Sequence, residues 1–176
     1  ARGTEFHSIV AGSKGGLVYI NSHNAAHFSR VTLSKCIVSG VSSVLGGAFY
    51  VESNGRITAS ESLFEHCAAS EFGGVFYLGP DGIAMLAYSR MVSNTAYGFG
   101  GVFFLQGGMF MSEDNMYLDN SAMFGGLVAV IGPDLGSPAA LFQFPAVSNI
   151  RPTGYGKAFT TTTFERDVIN SSTASY

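Results

Sequence analysis

Residues 73–78 read Gly-Gly-Val-Phe-Tyr-Leu, a glycine doublet followed by four apolar residues. The same arrangement recurs along the chain, with intervals of 31, 27, 27 and 25 residues between successive doublets. The apolar tetrads are rich in β-branched and aromatic residues and therefore predict strands. A repeat of this length cannot bury its own apolar face, so we expect the repeats to stack into one solenoid. The doublets are Gly15-Gly16, Gly46-Gly47, Gly73-Gly74, Gly100-Gly101 and Gly125-Gly126.

A second signature lies upstream of each doublet. It consists of a large apolar residue, a small or mostly polar residue three positions later, and Ala or Ser five positions later. Turns marked by Gly or Asn, such as Asn54-Gly55, separate each tetrad from the next signature, so we interpret each repeat as two or three short strands without a helix. The signatures are Phe6/Ile9/Ala11, Ile37/Gly40/Ser42, Phe64/Cys67/Ala69, Met91/Asn94/Ala96 and Tyr117/Asn120/Ala122.

Stacking as a parallel β-helix would place successive coils ~4.8 Å apart, with equivalent residues in columns along the axis. We expect Asn94 and Asn120 to form an amide ladder at an inside corner, because Asn tolerates a tight backbone and bonds to neighbouring peptides. Two columns of one parity would fill the interior: Val18, Phe49, Phe76, Phe103 and Val128, and beside them Ile20, Val51, Leu78, Leu105 and Val130.

The composition excludes several classes of protein. The chain has 176 residues, a formal net charge of −3 and only 12% charged residues. Nine basic against twelve acidic residues do not provide a basic face for nucleic acid, and the 47% apolar content argues against a disordered tail. The longest charge-free stretch, residues 91–112, contains five glycines together with Asn94 and Gln106, so we expect no membrane-spanning segment.

Written as Φ-x-x-N-x-A-x-x-x-G-G-A-Φ-Y-Φ, the two signatures resemble the repeat of the chlamydial polymorphic outer-membrane proteins. That family combines a G-G-A-[ILV] element, carried most fully by residues 46–49, with an F-x-x-N element, carried by residues 91–94 and 117–120. Similar repeats occur in large surface proteins of protists and algae. The resemblance covers residues 6–131 and implies a right-handed parallel β-helix on an extracellular or cell surface. It departs from the family where Ile9, Gly40 and Cys67 replace the Asn.

The repeats predict two regions. Residues 1–131 would form a β-helix of about five coils, and residues 132–176 break the pattern and would form an irregular cap or docking segment, with a further strand over 141–144. An open end of a β-helix exposes unpaired peptide groups. Because Phe6 already begins a signature, we expect either a fragment of a longer protein or ends that neighbouring subunits cover.

The sequence contains no convincing catalytic or metal-binding constellation. Its acidic residues occupy scattered repeat offsets and only Glu61 and Asp114 share a column, two coils apart, so an acid–base pair is not expected. His23 and His27 have the i, i+4 spacing of metal ligands, but no Glu lies between them and we interpret them as loop residues. We therefore predict no metal, no cofactor and no enzymatic activity.

Three further residues carry chemistry of their own. Cys36 and Cys67 occupy different offsets, so we expect two unpaired thiols, and Cys67 fills the position of the signature Asn as a packed small residue. Asn170 begins an Asn-Ser-Ser acceptor sequence and is a candidate N-glycosylation site if the protein is secreted.

The outward parity of the tetrads is apolar too, although a half-exposed strand should be polar on that side. An exposed stripe of this height exceeds what monomers usually leave uncovered. Three explanations stay open: the segment after Gly132 covers the stripe, another chain packs there, or the tyrosines stack on a ligand. The stripe comprises Leu17, Ala48, Val75, Val102 and Leu127, and beside them Tyr19, Tyr50, Tyr77, Phe104 and Ala129.

These features favour a non-enzymatic structural or adhesive module of an extracellular or cell-surface protein. It would act as a stiff spacer and an assembly surface, which self-assembles or binds other chains, for example in a filament. One alternative is a carbohydrate-binding module that uses Tyr19, Tyr50 and Tyr77 as a stacking platform for glycans. The other alternative is a β-helix enzyme that acts on polysaccharides.

Overall fold

The computed structural model describes residues 1–21, 30–52 and 54–131, and beyond them the strand residues 142–143, 150–151, 159–161 and 169–170. The described residues contain strands and turns but no helix. In chain order the strands are β1 (Glu5–His7), β2 (Val18–Asn21), β3 (Arg30–Ser34), β4 (Ile37–Ser39), β5 (Ser42–Leu45), β6 (Phe49–Glu52), β7 (Arg56–Ser60), β8 (Leu63–Glu65), β9 (Ala68–Phe72), β10 (Phe76–Leu78), β11 (Ile83–Ala87), β12 (Arg90–Val92), β13 (Thr95–Phe99), β14 (Phe103–Gln106), β15 (Met109–Glu113), β16 (Met116–Leu118), β17 (Ser121–Phe124), β18 (Val128–Ile131), β19 (Phe142–Gln143), β20 (Ile150–Arg151), β21 (Phe159–Thr161) and β22 (Ile169–Asn170).

The strands form four parallel sheets. Sheet I has the order β22-β19-β15-β11-β7-β3, sheet II β1-β4-β8-β12-β16-β20, sheet III β17-β13-β9-β5, and sheet IV β2-β6-β10-β14-β18-β21. A full turn of the chain contributes one strand to each sheet in the order I, II, III, IV, as β7 to β10 do. The predicted all-β parallel solenoid is therefore confirmed, but it has about four turns where about five coils were expected.

Each turn contains four strands, where two or three were expected. The corner between sheets I and II consists of two residues, and the first of them lies in the left-handed region although it is not glycine. Because no Gly or Pro marks such a turn in the sequence, the strands on its two sides look like one continuous segment. The left-handed corner residues are Lys35, Glu61, Tyr88 and Asp114, with φ of 53°, 48°, 51° and 47°.

The two predicted interior columns stack in register along sheet IV. Phe76 pairs with Phe49 on one side and with Phe103 on the other, and their ring centroids lie 4.9 and 5.1 Å apart in stacked geometry. All three side chains are fully buried. They pack against Phe64 of sheet II and Phe110 of sheet I, so the interior is one continuous apolar core.

The glycine doublets form the corner between sheets III and IV, and the two positions of a doublet require glycine for different reasons. The first has a positive φ, for example 67° at Gly73 and 69° at Gly100, where any other residue is strained. The second lies against the next coil, because a Cβ on Gly74 would collide with the carbonyl oxygen of Gly101. The doublets therefore set how closely two coils can approach.

One predicted signature is shifted by a residue. The column of the large apolar residue contains Val38, which pairs with Phe6 and Phe64, whereas Ile37 pairs with Leu63 on the outer side. The pairing of β5 with β9 contains a register shift, because β5 is one residue shorter before its doublet. Counting back from the doublet by the usual number of residues therefore reaches Ile37 and not Val38. For the same reason Val41, and not Gly40, occupies the buried second position of this signature, and Gly40 is a corner residue.

Within residues 132–176 the described strands continue the parallel pairing. Strand β19 lies inside the stretch where a strand was expected and pairs with β15, and β20 and β21 pair with β16 and β18. Apart from these strand residues, the predicted cap or docking segment lies outside the described part of the chain.

We expect Gly74→Ala to lower the free energy of unfolding by about 3 kcal/mol, because its Cβ would meet the backbone of the next coil. Gly12→Ala is the matched control, since nothing lies within 4 Å of a Cβ placed there. Urea unfolding followed by circular dichroism measures both variants. Equal stability of the two would contradict the role of this contact.

Candidate functional site

Five members of the predicted outer stripe belong to the core, which corrects that expectation; Ala48 is one of them and is fully buried. Val75, Val102 and Leu127 are buried in the interior cluster, and Leu17 packs against it. The amides of Val75 and Phe76 both donate to the Val102 carbonyl, at 3.1 and 2.8 Å. Because the backbone bends there, the side chains of Val75 and Phe76 both point inward. The alternation of inward and outward side chains begins only at Phe76.

The second column of the stripe does lie on the outer side of sheet IV, but most of it is covered. Tyr50, Tyr77, Phe104 and Ala129 are buried and form a cluster of their own, whereas Tyr19 is 51% exposed. The ring of Tyr50 stacks on Tyr19 at 5.2 Å and on Tyr77 at 4.6 Å. A three-tyrosine platform open to ligands is therefore not present, because only Tyr19 exposes much of its ring.

A column that the sequence analysis missed covers these rings. It contains the residue immediately before each doublet, and its members Phe72 and Phe99 pack on Phe104 with ring centroids 4.6 and 6.5 Å away. A large apolar residue preceding most doublets was the signal that could have revealed it. The column runs Lys14, Leu45, Phe72, Phe99 and Phe124. We call this column and the Tyr19-to-Ala129 column together the aromatic corner.

The Tyr50 end of the aromatic corner is polar. The Lys14 ammonium donates to the Tyr50 hydroxyl at 2.9 Å and lies 4.3 Å from the ring centroid, a cation–π distance. The Tyr50 hydroxyl donates to Glu52 Oε2 at 2.6 Å, and that of Tyr77 donates to Gln106 Oε1. Burial is the main cause that raises the pKa of Tyr50, followed by the hydrogen bond to Glu52. Both phenols are therefore protonated donors at neutral pH.

Tyr77 should make stability depend on pH in the alkaline range. Burial, with the charge of Glu52, raises its pKa to about 12 from 10.0. The unfolded chain ionises first, so this stabilisation is complete below about pH 10 and is lost as pH rises through the folded pKa. Urea unfolding over this pH range should show that the free energy of unfolding falls less for Tyr77→Phe than for the wild type. Tyr97→Phe, at a residue 74% exposed, is the control, and equal slopes for both variants would contradict the assignment.

The predicted amide ladder is present inside the corner between sheets II and III. Asn94 Nδ2 donates to Asn120 Oδ1 at 2.9 Å and to the Phe64 carbonyl at 3.0 Å, and Asn94 Oδ1 accepts the Cys67 amide at 3.0 Å. Cys67 occupies the Asn position of the preceding coil and is buried, as expected. Burial raises the pKa of its thiol to about 12, so the thiol is protonated and unreactive at neutral pH.

A second buried polar ladder lies inside the corner between sheets I and II and was not predicted. The Cys36 amide donates to Ser62 Oγ, the Ser62 amide to Ser89 Oγ, and the Ser89 amide to Asn115 Oδ1, at 3.1, 3.1 and 2.8 Å. Because the ladder mixes Cys, Ser and Asn, no single residue type marks all four of its positions in the sequence. Both thiols are free and lie in these ladders, which confirms the prediction of two unpaired cysteines.

Asn94→Ala should lower the free energy of unfolding by about 3 kcal/mol, because it leaves the Cys67 amide and the Phe64 carbonyl unpaired in the interior. Cys67→Asn should lower the free energy of unfolding by less than about 1 kcal/mol. The introduced side-chain amide can donate to the Val38 carbonyl, which the Cys67 thiol already faces at 3.7 Å. Urea unfolding compares the two variants. The ladder would have no energetic role if both lost the same stability.

The remaining candidates do not converge on a chemical site. Glu61 and Asp114 share the corner column as predicted, and Glu61 pairs with Lys35 at 3.3 Å. His23 and His27 lie outside the described residues, and for Asn170 only the backbone position in β22 is described. The described residues contain no group of three or more His, Cys, Asp or Glu that could hold a metal ion. Among the same residues, no helix is long and apolar enough to cross a membrane.

Comparison of the chain with models of protein families, with curated proteins and with solved structures finds no match. The class of protein is therefore defined by the fold alone, as a parallel β-solenoid repeat protein. The resemblance to the polymorphic outer-membrane protein repeat stays a prediction that rests on the two sequence signatures.

Proposed function

We propose that the chain is a non-enzymatic structural or adhesive module of an extracellular or cell-surface protein. Its solenoid would serve as a stiff spacer, and its outer surface would bind further copies of the chain or other chains of a surface assembly. The observation that carries the proposal is the stacking of equivalent residues along the axis in all four sheets, in the ladders at two corners and in the core.

Stiffness follows from the direction of the hydrogen bonds. Parallel strands of adjacent coils are bonded in all four sheets, so backbone hydrogen bonds run along the axis at a spacing of about 4.8 Å. The polar ladders add bonds at two corners, and stacked aromatic rings add contacts between coils. Bending the rod would stretch the hydrogen bonds between coils on its convex side and would open the core there. Both costs oppose bending.

The assembly surface is best supported by an apolar patch on the outside of sheet III. Tyr97, Met123 and Phe124 expose 74%, 58% and 45% of their surface, and the pairs Ala96↔Ala122 and Phe99↔Phe124 place them side by side on β13 and β17. Exposed aromatic and Met side chains are typical of the centres of protein interfaces. The patch adjoins the aromatic corner, because the ring of Phe124 stacks on that of Phe99 with centroids 5.0 Å apart.

We expect the protein to associate as its concentration rises and the double variant Tyr97→Ser/Met123→Ser to associate at least about tenfold more weakly, because the apolar contact area is lost. Light scattering coupled to size-exclusion chromatography, over a wide concentration range, measures the association. Val10→Ser is the control, since Val10 is 77% exposed but lies outside the patch.

Two outcomes would count against assembly: a wild type that stays monomeric at every concentration, or a double variant that associates like the control. A glycan array with the same proteins addresses the alternatives. Saturable glycan binding that is lost in Tyr19→Ala would favour a carbohydrate-binding module, and release of shortened glycans would favour a polysaccharide-acting enzyme.

A further inference from the structure

A groove crosses the outer face of sheet I, away from the aromatic corner and the apolar patch. It has a volume of about 350 Å³ and is lined by three consecutive residues from each of β7, β11 and β15. This volume lies at the small end of the range for ligand-binding sites. The three strands span about 10 Å along the axis, so the groove suits a narrow, extended molecule.

The register of the sheet explains the shape. Thr58, Met85 and Met111 stand in one column, and the next outward column contains Ser60, Ala87 and Glu113. Ser60 and Ala87 are small, so their column leaves a channel beside the longer methionine side chains. Methionine adapts its shape to apolar ligands, which makes this wall suitable for an alkyl chain.

Glu113 gives the groove a charge at one end. It is the charged residue among the described lining residues, it is exposed, and the Tyr88 hydroxyl donates to its Oε1 at 3.3 Å. The two ion pairs between described residues, His7–Glu5 and Lys35–Glu61, do not include it. Asp114 follows it in the adjacent corner, so the local potential favours a cation.

We propose that this groove binds an organic cation with an unbranched alkyl body, with the cationic nitrogen at Glu113 and the alkyl body along Met111 and Met85. The inference does not depend on the proposed spacer role. An anion would be repelled by Glu113. The polar side chains of the lining that remain for a sugar are Thr58, Ser60 and Glu113, because Ser112 Oγ is already bonded to Tyr117 and Asn115 at 2.8 Å each.

Chemical-shift titrations of the isotope-labelled protein with hexylammonium, hexanoate and hexanol test the proposal. Hexylammonium should bind most tightly and shift the amides of β7, β11 and β15. Glu113→Gln should weaken it about two- to fivefold, the effect expected for an exposed ion pair. Glu71→Gln, which removes an exposed carboxylate on sheet III, is the matched control and should leave the affinity unchanged.

A second variant separates the groove from the charge. Ala87→Leu fills the channel on the outer face and should abolish the shifts, while circular dichroism checks that the fold is retained. The proposal is overturned if hexanoate binds as tightly as hexylammonium, if Glu113→Gln matches Glu71→Gln, or if folded Ala87→Leu still binds.

Discussion

The contact between glycine backbones at the corner of sheets III and IV is the constraint on which the rest of this structure depends. A Cβ on the second glycine of a doublet would occupy the position of the next coil's carbonyl oxygen, as at Gly74 and Gly101. Because the coils come this close at one corner of every turn, parallel strands of adjacent coils can pair in all four sheets. The register shifts of sheet III leave this contact in place.

Stacking in register solves the problem of buried polar groups at the corners. A coil that turns sharply leaves amides and carbonyls without partners in their own coil, and an unpaired buried amide is costly. Side chains of the next coil pair with them: Asn94 and Asn120 at one corner, Ser62 and Ser89 at another. The protein therefore needs few charges, and burial and hydrogen bonding between coils carry its stability.

The outer surface is shaped by departures from the repeat. Within the aromatic corner, Tyr77 and Phe104 are buried, and Phe72 and Phe99 pack over these outward rings of sheet IV. The apolar patch lies where β13 carries one residue more than β17, and the groove lies where Ala87 is small beside Met85. Regular positions build the rod, whereas the irregular ones create the apolar patch and the groove, the two surfaces for which binding is proposed.

The sequence by itself determined the parallel solenoid, the interior columns of sheet IV and the ladder of Asn94 and Asn120, because these depend on similar residue types that recur at the same place relative to each glycine doublet. Tertiary structure decided which side chains are covered. Val75 points inward because two successive amides share one carbonyl, and Tyr50 is buried because a neighbouring sheet supplies Leu45 and Phe72. Such contacts join residues of different offsets and types, so no period in the chain records them.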